Sequence, residues 1–91
     1  MAFTYILQCS DGSYYVGSTE DLIRRIKQHQ GGYGCSYTKL HRPVKLVYRE
    51  EYDTFQQAFK RERQIHGWSK AKKEALIKGD IQTLQKLSKN K

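Results

Sequence analysis

Glu62 stands where a carboxylate is expensive. Phe55, Ala58, Phe59, Ile65 and His66 recur at helical spacing and mark a face that should pack inward, and Glu62 falls on that stripe. A carboxylate there is costly unless it is paired, bound to a cation or placed at the stripe's solvated edge. Lys60, Arg61 and Arg63 lie close by, so a local ion pair and a cation site both remain open. Arg25 and His29 sit one helical turn apart on a common face. The guanidinium can grip a phosphate through two parallel hydrogen bonds, and an imidazole titrating near neutrality can move a proton. A solvated basic face satisfies the same pattern, since Arg24 and Lys27 lie alongside. The chain has seven tyrosines, and Tyr5 and Tyr15 occupy two neighbouring apolar runs. They are packing residues by default; as general bases they need nearby positive charge, because a free phenol titrates near 10.

These side chains depend on the elements that carry them. Residues 3–9 (FTYILQC) read as a strand and 14–18 (YYVGS) as its hairpin partner, joined through Ser10-Asp11-Gly12-Ser13. Tyr5 and Tyr15 share a sheet face only if the connection has an odd number of residues. A loop of Asp11-Gly12-Ser13 would set Tyr15 opposite Cys9, on the side of Tyr5 and Leu7, whereas a two-residue loop would separate them. Gly17 leaves room for a substrate or another backbone to approach. Ser18 with Asp21 matches a capping box, with Thr19 as a competing cap, for a helix running to about Gln30 and stopped by Gly31-Gly32. Residues 31–43 read as a loop, 44–52 as a third strand, 55–66 and 70–78 as helices capped by Thr54 and Ser69, and 80–88 as a last short helix with Ile81, Leu84 and Leu87 for packing. The order β-β-α-β-α-α-α predicts an α+β fold with a small three-stranded, mainly antiparallel sheet flanked by helices.

Ninety-one residues suffice for one domain, spanning 1–91 with its core in about 2–78. The apolar runs are too short for a membrane span, and the first residues show no signal peptide, so a cytoplasmic location is expected. Cys9 and Cys35 are expected to be reduced thiols, because no secretory signal is read, and a zinc site with His29, His41 or His66 is not expected, because no C-x-x-C or H-x-x-x-H pair is present. The net charge of +8 is spread over the chain, with seven basic and four acidic residues in the first 50 and ten against five thereafter. A folded domain this basic attracts polyanions, nucleic acid foremost.

These motifs together resemble the GIY-YIG endonuclease superfamily. Phe3-Thr4-Tyr5 corresponds to its first tripeptide, Tyr15-Val16-Gly17 to its second, Arg25 and His29 to the arginine and its follower on the next helix, and Glu62 to the glutamate on a later one. The DGS turn, the RR-x-x-x-H pattern at 24–29 and RPVKLVY at 42–48 look like the small stand-alone bacterial members. The resemblance implies metal-dependent hydrolysis of DNA phosphodiester bonds, with one Mg²⁺ or Mn²⁺ on Glu62. Arg25 would then face the phosphoryl oxygens, and one of Tyr5 and Tyr15 would be the general base, the choice being open. His29 would assist the proton transfer or orient the base. Ser18 stands where many members carry a lysine.

A separate recognition domain, common in relatives, has no room here. Phosphate contacts from Arg24, Lys27, Lys39, Arg42, Lys60, Arg61, Lys70, Lys72 and Lys73, with Tyr33 and Tyr37 stacking on exposed bases or simply packing, imply salt-sensitive, structure-selective or weakly sequence-specific binding. DNA repair is a fitting setting, RNA is an open alternative substrate, and a protein partner could supply specificity. The chain is expected to be a monomer and, alone, to nick. The alternative is a slow or inactive nucleic-acid-binding module acting with a partner protein.

Overall fold

The computed structural model describes residues 1–32 and 36–89. Three strands, β1 (Ala2–Gln8), β2 (Tyr14–Thr19) and β3 (Lys45–Tyr52), form an antiparallel sheet in the order β2-β1-β3. Around it lie α1 (Leu22–Gln30), α2 (Ser36–Leu40), α3 (Phe55–His66), α4 (Lys70–Lys78) and α5 (Ile81–Lys89). The class and the three-stranded antiparallel sheet are those expected. The addition is α2, a short helix inside the segment that reads as a loop.

β1 is the central strand and is covered on both faces. Tyr5, Leu7 and Cys9 pack with Leu22, Ile26, Val44 and Leu46 on the α1 side. Ile6 packs with Val16, Ile65, Trp68, Leu76 and Ile77 on the other. A bulge opposite Ile6 and Leu7 shifts the β1–β3 register. It lets Leu46 join the first cluster while Val47 and Tyr48 join the second.

The hairpin pairs Leu7 with Tyr15 and Tyr5 with Gly17, and the amide of Cys9 bonds the carbonyl of Ser13. The connection is therefore Ser10-Asp11-Gly12, one step earlier than Asp11-Gly12-Ser13, and Tyr15 faces Leu7 instead of Cys9. Gly12 takes φ +85°, which a glycine adopts freely. An odd loop keeps the side-chain parity, so Tyr5 and Tyr15 share a face as expected.

Helix starts follow local chemistry. Asp21 caps α1 by accepting from the Arg24 amide, displacing the expected Ser18 cap, while Thr19 accepts from the Asp21 amide. Thr54 and Gln57 form a full capping box on α3, and Ser69 caps α4, which ends at Gly79 with φ 71°. The docking face of α3 differs from the expected stripe. Ala58 and Ile65 are buried, whereas Phe55, Phe59 and His66 are exposed. The small Ala58 lets the helix approach until the Thr4 hydroxyl donates to its carbonyl at 2.7 Å, and that contact sets the roll of the helix. Phe55 and Phe59 then stack on each other outside the core, ring centroids 6.1 Å apart. On α5, Leu84 and Leu87 are half-buried and Ile81 is exposed.

Candidate active site

The hairpin and α1 build one cluster on the α1 face of the sheet. Tyr5 is 1% exposed and His29 is fully enclosed. Nε2 of His29 lies 2.9 Å from the Tyr5 hydroxyl, and its Nδ1 lies 2.8 Å from Oγ1 of the buried Thr38 on α2. A neutral imidazole donates from one nitrogen and accepts at the other, so Thr38, His29 and Tyr5 form a directed chain in either tautomer. The half-buried Tyr15 completes the group, its ring 5.2 Å from His29 and 6.5 Å from Tyr5.

Burial, aided by the charge of Arg25, pushes the His29 pKa down to about 4. His29 is therefore neutral at physiological pH, which corrects the expectation of an imidazole titrating near neutrality. Arg25, half-buried on the same helix, donates from Nη1 to Oε1 of Gln28 at 3.1 Å.

Gly17 is where β2 admits this cluster. A β-carbon there would lie 2.4 Å from the Tyr5 hydroxyl oxygen and 2.5 Å from its ring carbon Cζ. The close approach that a glycine permits is thus occupied by the phenol of Tyr5.

Glu62 lies across the sheet from the tyrosines. Residues alternate along β2, so Gly17 meets Tyr5 on one face while Ser18 points to the α3 side, where its hydroxyl donates to Oε1 of Glu62 at 2.7 Å. The two halves of the candidate site meet around the edge strand β2. Glu62 does not pair with its neighbouring cations. Arg61 instead reaches Glu50 of β3, with Nε 2.9 Å from Oε1 and Nη2 3.2 Å from Oε2. Burial raises the Glu50 pKa, but hydrogen bonds from Arg61, Tyr48 and Tyr52 outweigh it and leave the carboxyl below its ordinary value. Arg61 also lies 5.0 Å from the Trp68 ring centre. It is engaged in holding α3 to the sheet, unlike the solvent-facing phosphate contact expected of it.

A divalent ion suits the donor set at Glu62. The carboxylate is half-buried, and among the described residues no hydrogen bond or ion pair engages Oε2. Among those residues no group of three or more His, Cys, Asp or Glu converges. One carboxylate completed by waters and substrate phosphate is the way Mg²⁺ is commonly held.

The remaining expected contacts are scattered. Arg24 and Lys27 are exposed on α1, Lys39 on α2 and Lys60 on α3. Arg42 is exposed and folds back on the carbonyls of Lys39 and Gln30. Lys70 and Lys72 lie 5.9 Å and 4.1 Å from the ring centres of Tyr14 and Trp68, and Lys73 is half-buried. Tyr37 stacks between Tyr15 and His41, at 6.2 Å and 4.4 Å. His41 also faces Asp11, 3.4 Å away. Cys9 is buried in the cluster on the α1 side. Tyr33 and Cys35 lie outside the described residues.

Sequence reasoning misses Thr38 and the bond from Ser18 to Glu62. Thr38 carries no motif, and Ser18 and Glu62 are joined only by docking of α3.

Comparison with known proteins bears on the family and the fold. Residues 1–75 match the model of the GIY-YIG catalytic domain. UPF0213 proteins of Staphylococcus aureus strains Mu3 and N315 are each 49% identical over 76 residues, covering 84% of this chain and 93% of theirs. The solution NMR structure of a UPF0213 protein from Bacillus halodurans aligns with a TM-score of 0.55 at 39% identity, covering 86% of this chain and 84% of its own. A second NMR structure, of an E. faecalis protein, gives 0.57 at 34% identity over 85% and 82%. No described helix is long and apolar enough to cross a membrane. With Tyr5 and Tyr15 on its three-stranded sheet, Arg25 and His29 on α1 and Glu62 on α3, and with residues 1–75 matched, the chain belongs to the GIY-YIG catalytic domain family, a family of nucleases.

Proposed function

We propose that this chain is a metal-dependent endonuclease that hydrolyses DNA phosphodiester bonds, structure-selective or weakly sequence-specific, and that it nicks when acting alone. The observation that carries this reading is the Ser18–Glu62 bond at the edge of β2, next to the Tyr5–Gly17 contact. It holds a half-buried carboxylate against the strand that also bears Tyr15, and among the described residues no cation forms an ion pair with it.

Glu62 would hold Mg²⁺ or Mn²⁺, with Ser18 fixing the carboxylate by its bond to Oε1. When bound, the ion would supply Lewis-acid polarisation of the scissile phosphate. Arg25 faces the phosphoryl oxygens and offsets the charge that grows on them in the transition state. Tyr15, the more accessible phenol, takes the proton of the attacking water. Tyr5 is sealed from solvent and positions Tyr15, itself held by neutral His29 and Thr38. General-base work by a phenol requires nearby positive charge, for which Arg25 and the metal ion are the suitable sources. Exposed Arg24, Lys27, Lys39 and Lys60 add phosphate affinity without sequence readout.

The test is incubation with labelled plasmid, single-stranded, flapped and branched DNA in Mg²⁺, Mn²⁺ or EDTA, beside a Glu62→Gln control. Nicking that requires metal and disappears in the control is expected. Salt-sensitive binding that survives the substitution, with no cleavage under either metal, would replace this reading with a binding module that acts through a partner.

A further inference from the structure

A concavity lies along β2, beginning at Tyr15 of the candidate site. Tyr14, Tyr15 and Val16 of the strand, Tyr37 of α2, His66 of α3 and Lys73 of α4 line an open pocket of about 250 Å³. Because Tyr15 belongs to one face of the sheet and Val16 to the other, the pocket wraps the strand's edge.

Its walls are flat rings. Tyr15, Tyr37 and His41 form a column with interplanar angles of 23° and 19°, and Tyr37 is 39% exposed. Lys73 supplies a cation, Lys70 stands 5.9 Å over the Tyr14 ring, and His66 is exposed at the rim. Glu74 is the acid whose field reaches Tyr14. A planar, anionic ligand satisfies both the rings and the lysines.

We infer that this pocket binds one unpaired nucleobase, with its phosphate on Lys73. The placement rests on the nuclease reading for the position of the scissile phosphate. His66 follows Glu62 by one turn of α3, and Tyr14 lies four residues from Ser18, roughly 13 Å along β2. A single strand laid along this edge would seat a base in the pocket a few nucleotides from Glu62. Flaps and single-strand junctions are then the preferred substrates, and the cut falls at a fixed offset from the last paired base.

The probe is a fluorescent 12-nucleotide oligo(dT), against a blunt duplex of equal length, titrated by anisotropy in EDTA with the Glu62→Gln protein. Tyr37→Ala should weaken oligo(dT) binding about tenfold and the duplex much less, because one base–aromatic stack is lost. Tyr37→Phe, which keeps the ring, should restore the affinity. Lys73→Gln should lower the salt slope by about one phosphate contact. Lys45→Gln, on the opposite edge strand, should change the oligo(dT) preference less than twofold. Titrating thymidine monophosphate should move NMR signals of Tyr14, Val16, His66 and Lys73 together. Equal losses for both DNA forms, no effect of Tyr37→Ala, or thymidine monophosphate shifts dispersed over the basic surface would overturn the inference. If the pocket variants lose oligo(dT) selectively while the parent cuts nothing, the pocket stands and the nuclease reading falls. If the parent cuts and the variants bind unchanged, the reverse holds.

Discussion

Lowering the pH should destabilise this protein through His29 before most of its carboxylates titrate. In the folded chain burial and Arg25 hold the His29 pKa at about 4, against an ordinary value of 6.5. A depressed pKa means that the unfolded chain binds the proton more readily. The stabilisation is therefore fully present above pH 6.5 and is lost as pH falls toward 4. With these two values, moving from pH 7.5 to 4.5 costs about 2–3 kcal/mol. That is a large share of the ~5–15 kcal/mol available to a small domain. Protonation also forces both ring nitrogens to donate, which destroys one sense of the Thr38–His29–Tyr5 chain.

Urea denaturation from pH 7.5 to 4.5 reads the cost directly, and His29→Gln should flatten the dependence in this window. NMR titration of the His29 ring should give a midpoint near 4. A midpoint near 6.5, or stability constant within about 0.5 kcal/mol over the window, would refute the argument that enclosure excludes the imidazolium.

Gly17→Ala places a methyl 2.4 Å from the Tyr5 oxygen, and the pinned ring has to move. A loss of about 1–3 kcal/mol in urea melts is expected, with cleavage reduced. Tyr15→Phe should fold normally and slow kcat by about 100-fold or more. Tyr5→Phe should instead cost about 1–3 kcal/mol of stability by stranding a His29 nitrogen, a contrast that thermal melts and single-turnover kinetics resolve. Glu50→Gln beside Arg61→Met should each destabilise by about 2 kcal/mol and together by less than the sum, as measured in a double-mutant cycle, because the two share one half-buried pair.

Much of the scaffold is legible in residues a few positions apart. The caps Thr54 and Ser69 start their helices, Gly79 ends α4, and the odd hairpin loop puts Tyr5 and Tyr15 on one face even though the loop itself moved by one residue. Motif spacing also picked out Arg25, His29 and Glu62. These signals are local: side-chain period, backbone conformation and short-range capping need no knowledge of the rest of the chain.

The environments of those same residues were decided by docking. The hydrogen bond from Thr4 to Ala58 rolled α3 so that Phe55 and Phe59 turned outward while Glu62 met Ser18, 44 residues away. The same docking drew Arg61 to Glu50, removing the partner that sequence proximity offered Glu62. α2 enclosed His29 with Thr38 and made it a neutral, fixed group instead of a titrating one. Residue types and periodicity specify which groups exist and which face they start from. A carboxylate's partner and an imidazole's charge depend on desolvation and on contacts between distant segments, and those arise only when the elements pack.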